Sequence, residues 1–307
     1  MRVLVNGGTG FIGGEIAAAL ATRGHDVRVL SRHGRATPDA DPRVRPVRGD
    51  VLEPKTLDAP LEGCDAVVHA VQFPNHPIEN PRRGHTYERF DGQGTTNAVE
   101  AAIRAGVGRF VYLSGAGVRA GRTEPWYRAK WRAEEAVRAS GAAWTIFRPS
   151  WVYGPRDRSL NKFVTFARRL PFVPVIGGGR ERVRPLYVRD LAEAVARSID
   201  HAGAPLRALD AGGPERLTMN EILRTTLRVL GVRRPLFHSP AWAMKAAASV
   251  LQFLPNPPLT PQAIDFIRQE EEVDPRPLEE AFGMRMRTLE QGLREYLSGT
   301  GGHDKTP

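Results

Sequence analysis

Val3-Leu4-Val5-Asn6-Gly7-Gly8-Thr9-Gly10-Phe11-Ile12-Gly13 is the stretch that decides how the chain folds. Its three apolar residues, two of them β-branched, read as a short buried strand. Glycines at 7, 10 and 13 then mark a tight turn. Gly13 to Thr22 is Ala-rich, with Ile16 and Leu20 four apart, and reads as a helix. Strand, glycine turn and helix in this order bring backbone N–H groups and the positive end of a helix dipole to one point, which suits the pyrophosphate of a dinucleotide. The spacing is G-x-x-G-x-x-G rather than the commoner G-x-G-x-x-G, and its context is the one the motif requires. Gly7, Thr9, Gly10, Phe11, Ile12 and Gly13 are the candidate phosphate-binding residues.

Outward from this turn, apolar runs recur at Val27–Leu30, Ala66–Ala70, Phe110–Leu113 and Trp144–Phe147, with a helical pattern at Asn97–Ala105. The alternation predicts βαβ units around a parallel sheet, an α/β chain. After Pro149, Pro and Arg become frequent, and helices are expected at Leu160–Leu170, Met219–Leu230 and Leu289–Leu297. A length of 307 residues is about twice that of a typical domain of roughly 150. With 41% hydrophobic and 25% charged residues, collagen-like, disordered and membrane-spanning classes are excluded.

The end of the second strand chooses between nicotinamide cofactors. An acidic residue there would bind the ribose hydroxyls of NAD(H), but the chain reads Ser31-Arg32-His33-Gly34-Arg35. Arg32, with Ser31 and Arg35, offers charge-assisted hydrogen bonds to a 2′-phosphate. NADP(H) is therefore favoured over NAD(H), unless Arg32 is merely a solvated loop residue in an Arg-rich chain.

The net charge is +10, from 44 basic and 34 acidic residues. Nine of the basic residues fall between Arg156 and Arg189, against Asp157 and Glu181 alone. Such a window attracts an anionic substrate, an acidic protein or a lipid surface, although an Arg bias can equally reflect genome composition. Nucleic acid is disfavoured, because no helix-turn-helix, zinc spacing or stacking-aromatic pattern accompanies the charge. No Cys/His cluster suggests a metal. Cys64 is the one cysteine, and the N-terminus carries no secretory pattern, so a cytoplasmic location is expected. The apolar stretch from Ala241 to Leu254 is shorter than the roughly 20 residues that span a bilayer. Its stripe of Trp242, Met244, Ala248, Leu251 and Leu254 suits a helix closing a pocket, or one resting on a membrane beside a quinone-like ligand. Ser298 to Pro307 is expected to be a disordered tail.

Several further motifs carry a family resemblance. Asp50-Val51, Arg109-Phe110-Val111-Tyr112-Leu113-Ser114, Arg148-Pro149-Ser150 with Tyr153-Gly154-Pro155, Arg184-Pro185-Leu186-Tyr187-Val188 with Asp190, and Gly212-Gly213-Pro214 follow the glycine turn. With it, they resemble the extended short-chain dehydrogenase/reductase, or NAD-dependent epimerase/dehydratase, superfamily. The chain is most similar to its atypical branches, the NmrA-like NADP-binding proteins and the dehydrogenase-like accessory subunit of respiratory complex I. The resemblance implies a Rossmann-type, doubly wound parallel sheet with a small, mainly helical C-terminal substrate lobe. The core would be residues 1–155, rejoined by about 176–212, and the lobe 156–175 and 213–297. Asp50 and Val51 would lie by the adenine, while Ala70, Val71, Gln72 and Pro149 would line the cofactor.

Active members of this superfamily pair a Tyr with a Lys four residues later. Lys130 is in place as a candidate ribose ligand and catalytic residue, but Trp126 stands four residues before it. An indole N–H does not titrate in the useful range. Tyr127, three residues before Lys130, shares a helical face with it and is the candidate proton relay. Ser114 is the candidate substrate-orienting hydroxyl, one residue early, with Gly115 in the usual place. His69, Tyr87 and Tyr153 stand in reserve. Two functions follow from these residues. One is an NADP(H)-dependent oxidoreductase or epimerase/dehydratase-like enzyme acting on a small, anionic or quinone-like molecule. The alternative is a non-catalytic NADP(H)-binding redox sensor or a scaffold of a respiratory membrane complex.

Overall fold

Val3, Leu4 and Val5 are fully buried, as an uninterrupted apolar run must be when both faces of a parallel sheet are covered. The computed structural model describes residues 1–35, 41–201, 206–252, 254, 259–270 and 272–297; the expected tail, 298–307, lies outside them. In chain order the elements are β1 (Arg2–Asn6), α1 (Phe11–Thr22), β2 (Asp26–Ser31), β3 (Val44–Arg48), α2 (Asp58–Leu61), β4 (Ala66–His69), α3 (Gly94–Arg104), β5 (Arg109–Leu113), α4 (Pro125–Arg138) and β6 (Ala143–Pro149). There follow β7 (Val152–Tyr153), α5 (Leu160–Arg169), β8 (Val173–Ile176), β9 (Arg182–Val183), β10 (Leu186–Tyr187), α6 (Val188–Asp200) and β11 (Arg207–Ala211). The chain closes with β12 (Leu217–Thr218), α7 (Met219–Leu230), β13 (Leu236–Ser239), α8 (Ala241–Leu251), α9 (Pro261–Ile267), α10 (Arg276–Phe282) and α11 (Leu289–Leu297).

Seven strands form one parallel sheet in the order β11-β6-β5-β4-β1-β2-β3. This is the parallel sheet that the alternation of runs predicts, in the doubly wound, Rossmann-type arrangement that the resemblance implies. β3 carries Pro46, which cannot donate to a ladder and is tolerated because β3 is an edge strand. α1 buries Gly13, Ile16, Ala17, Leu20 and Ala21 and packs against α6, whose buried row includes Ala192, Ala194 and Ala196. A turn of π-helix, Glu88–Gln93, runs directly into α3 and buries Phe90, Asp91 and Gly92.

The residues divide into two compact units. The first comprises Met1–Pro149, Val188–Ala211 and Asp274–Met284; the second comprises Ser150–Tyr187, Gly212–Val273 and Arg285–Pro307. Within the second, β8 and β13 pair in parallel, and Ala167, Val173, Val175, Leu223 and Leu227 form a small core. α7 starts at a capping box made by Thr218 and Glu221 and ends at Gly231 in the left-handed conformation. α8 departs from the expected stripe. Ala248 is its one buried residue, and Trp242, Ala246 and Val250, four apart, face solvent. Among the described residues, no helix is long and apolar enough to cross a membrane.

Candidate active site

The glycine turn closes because its backbone approaches itself more nearly than any side chain permits. A Cβ at Gly7, whose φ is +82°, would lie 2.4 Å from the Ala70 carbonyl oxygen, and a Cβ at Gly13 would lie 2.3 Å from that of Gly7. Gly10 N donates to Gly7 O at 2.9 Å. α1 opens at Phe11 with no side-chain cap on its first turn, the state in which a helix N-terminus receives an anion. β1 lies between β4 and β2, where the strand order reverses, and a crevice outside the carboxyl ends is expected at such a point. The residues present therefore fit a dinucleotide.

Most of the other expected cofactor ligands lie at the carboxyl ends of the same sheet. Ser31 Oγ accepts from Arg35 N at 3.3 Å, and Arg32 and Arg35 are exposed. Neither is in an ion pair with a carboxylate among the described residues. His85 lies close by. Its imidazole is held below its ordinary value by burial and then by the guanidiniums of Arg83, Arg32 and Arg89. The sequence reading singled out Arg32 but not Arg83 or Arg89, which come from another loop. Asp50 Oδ1 accepts from Leu52 N at 2.9 Å, and the carbonyl of buried Val51 accepts from Asn97 Nδ2 at 2.7 Å. Ala70 abuts Gly7, Val71 is half-buried and Gln72 is exposed. Pro149 O accepts from Ala116 N at 2.9 Å.

Lys130 is engaged within the protein. Its Nζ lies 2.9 Å from Asp91 Oδ1 and donates to Leu113 O at 2.9 Å, and both charged side chains are buried. Burial opposes the charge on Lys130, but Asp91 and Tyr112 together outweigh it and hold the ammonium above its ordinary range. Asp91 reaches this position from the π-turn, a local distortion that re-aims one side chain. His69, between Asn6 Nδ2 at 3.3 Å and Thr95 Oγ1 at 3.2 Å, is pushed down to about 3 by burial and then by Lys130, and so is neutral.

Ser114 is committed elsewhere too. Its Oγ donates to Glu134 Oε1 at 2.6 Å. Glu134, fully buried, also accepts two bonds from Arg148 at 2.9 and 2.7 Å and one from Arg138 at 2.6 Å. A Cβ at Gly115 would lie 2.4 Å from the Trp126 indole, so the departures at 115 and 126 are a single packing event: the indole fills the space of the missing side chain. Tyr127 lies under the Arg122 guanidinium, 3.7 Å from its ring centroid, and a Cβ at Gly117 would lie 3.6 Å from its Oη. The structure thus sets Lys130 with Asp91, Ser114 with Glu134 and Tyr127 with Arg122. Tyr87 donates to Pro77 O at 3.0 Å, and Tyr153, in the second unit, to Thr288 O at 3.4 Å. A cavity of 470 Å³ lined by Arg207, Leu209, Pro277 and Glu280 lies on the edge strand β11, away from the glycine turn.

Residues 7–170 match the family model described as NAD(P)H-binding. The chain is 30% identical to a ceramide reductase of Caulobacter vibrioides, over 78% of this chain and 73% of the relative. It is 27% identical to the mitochondrial NADH dehydrogenase [ubiquinone] 1 alpha subcomplex subunit 9 of Arabidopsis thaliana, over 82% and 63%. It is 28% identical to a 3 beta-hydroxysteroid dehydrogenase/Delta 5-->4-isomerase of Mycobacterium tuberculosis, over 86% and 80%. Among solved structures, a UDP-glucose 4-epimerase of Thermotoga maritima has the same fold, with a TM-score of 0.75 at 20% identity over 98% of this chain and 99% of that one.

Proposed function

The chain belongs to the NAD(P)H-binding family, among the atypical extended short-chain dehydrogenases/reductases, and on that premise we propose that it is an NADPH-dependent reductase of an apolar carbonyl compound. The observation that carries this reading is the glycine turn, whose Gly7 and Gly13 contacts leave room for backbone and nothing more. The turn would hold the pyrophosphate. Arg32, with Arg83 and Arg89 around His85, supplies unneutralised positive charge for a 2′-phosphate. Asp50, Val51, Ala70, Val71, Gln72 and Pro149 complete the proposed cofactor contacts.

When bound, the nicotinamide supplies a hydride. Within the chain, Tyr127 is the proposed proton donor, at its Oη. The Arg122 guanidinium, itself held by Glu124 at 2.6 Å, lies over the ring and stabilises the charge left on the oxygen when the proton departs. Lys130 and Ser114 are proposed as positioning residues: Lys130 ties the end of β5 to the π-turn, and Ser114 ties it to the Glu134–Arg148 pair. The relatives named for ceramide and for a hydroxysteroid act on lipids, which supports an apolar substrate. We propose a location peripheral to a membrane, where such substrates reside.

A second reading, non-catalytic NADPH binding, is favoured by the indole of Trp126 in the place of the orienting side chain. NADPH consumption with a panel of apolar ketones separates the two. Catalysis predicts turnover that falls about a hundredfold in Tyr127→Phe. Tight NADPH binding without turnover on any ketone is the outcome that establishes the second reading.

A further inference from the structure

Two segments of the second unit have the same composition, with Leu and Pro exchanged: Arg168-Arg169-Leu170-Pro171-Phe172 and Arg233-Arg234-Pro235-Leu236-Phe237. Parallel pairing of β8 with β13 sets Val173 beside Leu236, so the two segments run side by side. Their phenylalanine rings are 5.4 Å apart, yet Phe172 is 37% and Phe237 58% exposed. Arg234 Nε donates to Ala167 O at 3.2 Å and holds the two segments together. Pro240 then leads from β13 into α8, whose outer row presents Trp242, 76% exposed, and Val250, 73% exposed. An apolar surface of this kind is costly in water unless something covers it.

Positive charge flanks it. Several arginines elsewhere in the unit are ion-paired: Arg228 with Glu290 at 2.7 Å, Arg268 with Glu181 at 2.7 Å and Arg287 with Glu295 at 3.1 Å. Among the described residues, no carboxylate pairs with Arg168, Arg169, Arg233 or Arg234. We propose that this edge of the second unit docks on an anionic lipid bilayer, with Phe172, Phe237 and Trp242 entering the headgroup boundary and the four arginines meeting lipid phosphates. Aromatic and aliphatic side chains beside unpaired cations are the composition of an interfacial anchor. Self-association through this face would set the same four unneutralised arginines of two copies against each other. A single-stranded nucleic acid would stack on the aromatic rings but gain little from Val250, Leu251 or Leu254. The inference deepens the peripheral-membrane part of the proposed function and is independent of the nucleotide chemistry, so either can fail while the other stands.

Co-sedimentation of the full chain with vesicles tests it, comparing phosphatidylcholine alone with phosphatidylcholine plus phosphatidylglycerol. The expected result is binding at least about tenfold tighter to the anionic vesicles. A Phe172→Ser/Phe237→Ser variant should lose about tenfold on the same vesicles, and an Arg168→Gln/Arg169→Gln/Arg233→Gln/Arg234→Gln variant should lose both the binding and its salt dependence. Thermal midpoints report whether each variant folds, and Trp242→Ser/Val250→Ser, on a separate element, gives the same reading if the first pair does not. A wild-type protein left in the supernatant at low salt overturns the proposal. So does vesicle binding unchanged by loss of the apolar residues, with an oligonucleotide binding as tightly. A dimer in sedimentation velocity that the Phe substitutions dissociate overturns it as well.

Discussion

At the scale of single residues, Gly115 and Trp126 show why departures from a family pattern should be read in pairs. Each alone looks like the loss of a catalytic group; together they are one exchange of volume. Gly115→Ser alone forces a Cβ to 2.4 Å from the indole and is expected to cost about 1–3 kcal/mol by overpacking. Trp126→Tyr in the same chain should recover much of that loss, a non-additivity that a double-mutant cycle of chemical denaturation measures. Buried His69 gives a pH prediction. Its folded value of about 3 lies below the ordinary 6.5, so between these values the unfolded chain binds the extra proton and stability falls as pH falls. The expected slope is about 1.4 kcal/mol per pH unit. Denaturation midpoints between pH 7 and 5 should flatten in His69→Asn by that amount. Gly7 and Gly13 were legible in the sequence because the close approaches that require them are local to one turn. Asp91 was not, since its meeting with Lys130 depends on a π-turn that has no periodic signature. Ser114 was legible as a residue near the site, but the Glu134 that claims its hydroxyl comes from another element.

At the scale of elements, the first βαβ unit carries its own specification: an apolar strand, a turn that only glycine can make, and a helix with small residues on its buried face. Gly13→Ala should therefore act on α1 as a whole. A Cβ 2.3 Å from Gly7 O pushes the helix start off the turn, and NADPH affinity measured by calorimetry should fall at least about tenfold, a loss of 1.4 kcal/mol. The return of the chain to the sheet was harder to read. α6 and β11 rejoin the first unit at Val188–Ala211, and Asp274–Met284 also belongs to it. α6 shows few local signals beyond its alanines, which become informative only once α1 is known to lie against them. The apolar stripe expected on α8 does not share one environment: Ala248 is buried while Trp242 and Leu251 are exposed, because periodicity does not say which face a neighbour covers.

At the scale of the molecule, the charge of +10 is unevenly shared. The first unit has 25 basic against 23 acidic residues, and the second has 19 against 11. The sequence located the excess in the window from Arg156 to Arg189, but it could not separate neutralised arginines from the four beside Phe172 and Phe237. Pairing depends on neighbours brought in by the fold. In the first unit, near-balance makes the small group of Arg32, Arg83 and Arg89 around His85 the more significant, because it is the proposed reader of the 2′-phosphate. The most direct measurement is therefore the dissociation constant of the full chain for NADPH and for NADH, with and without Arg32→Ala. NADPH should bind at least about tenfold more tightly than NADH, and Arg32→Ala should remove that difference while leaving NADH affinity unchanged. Equal affinity, or tighter binding of NADH by the wild-type protein, would contradict the assignment.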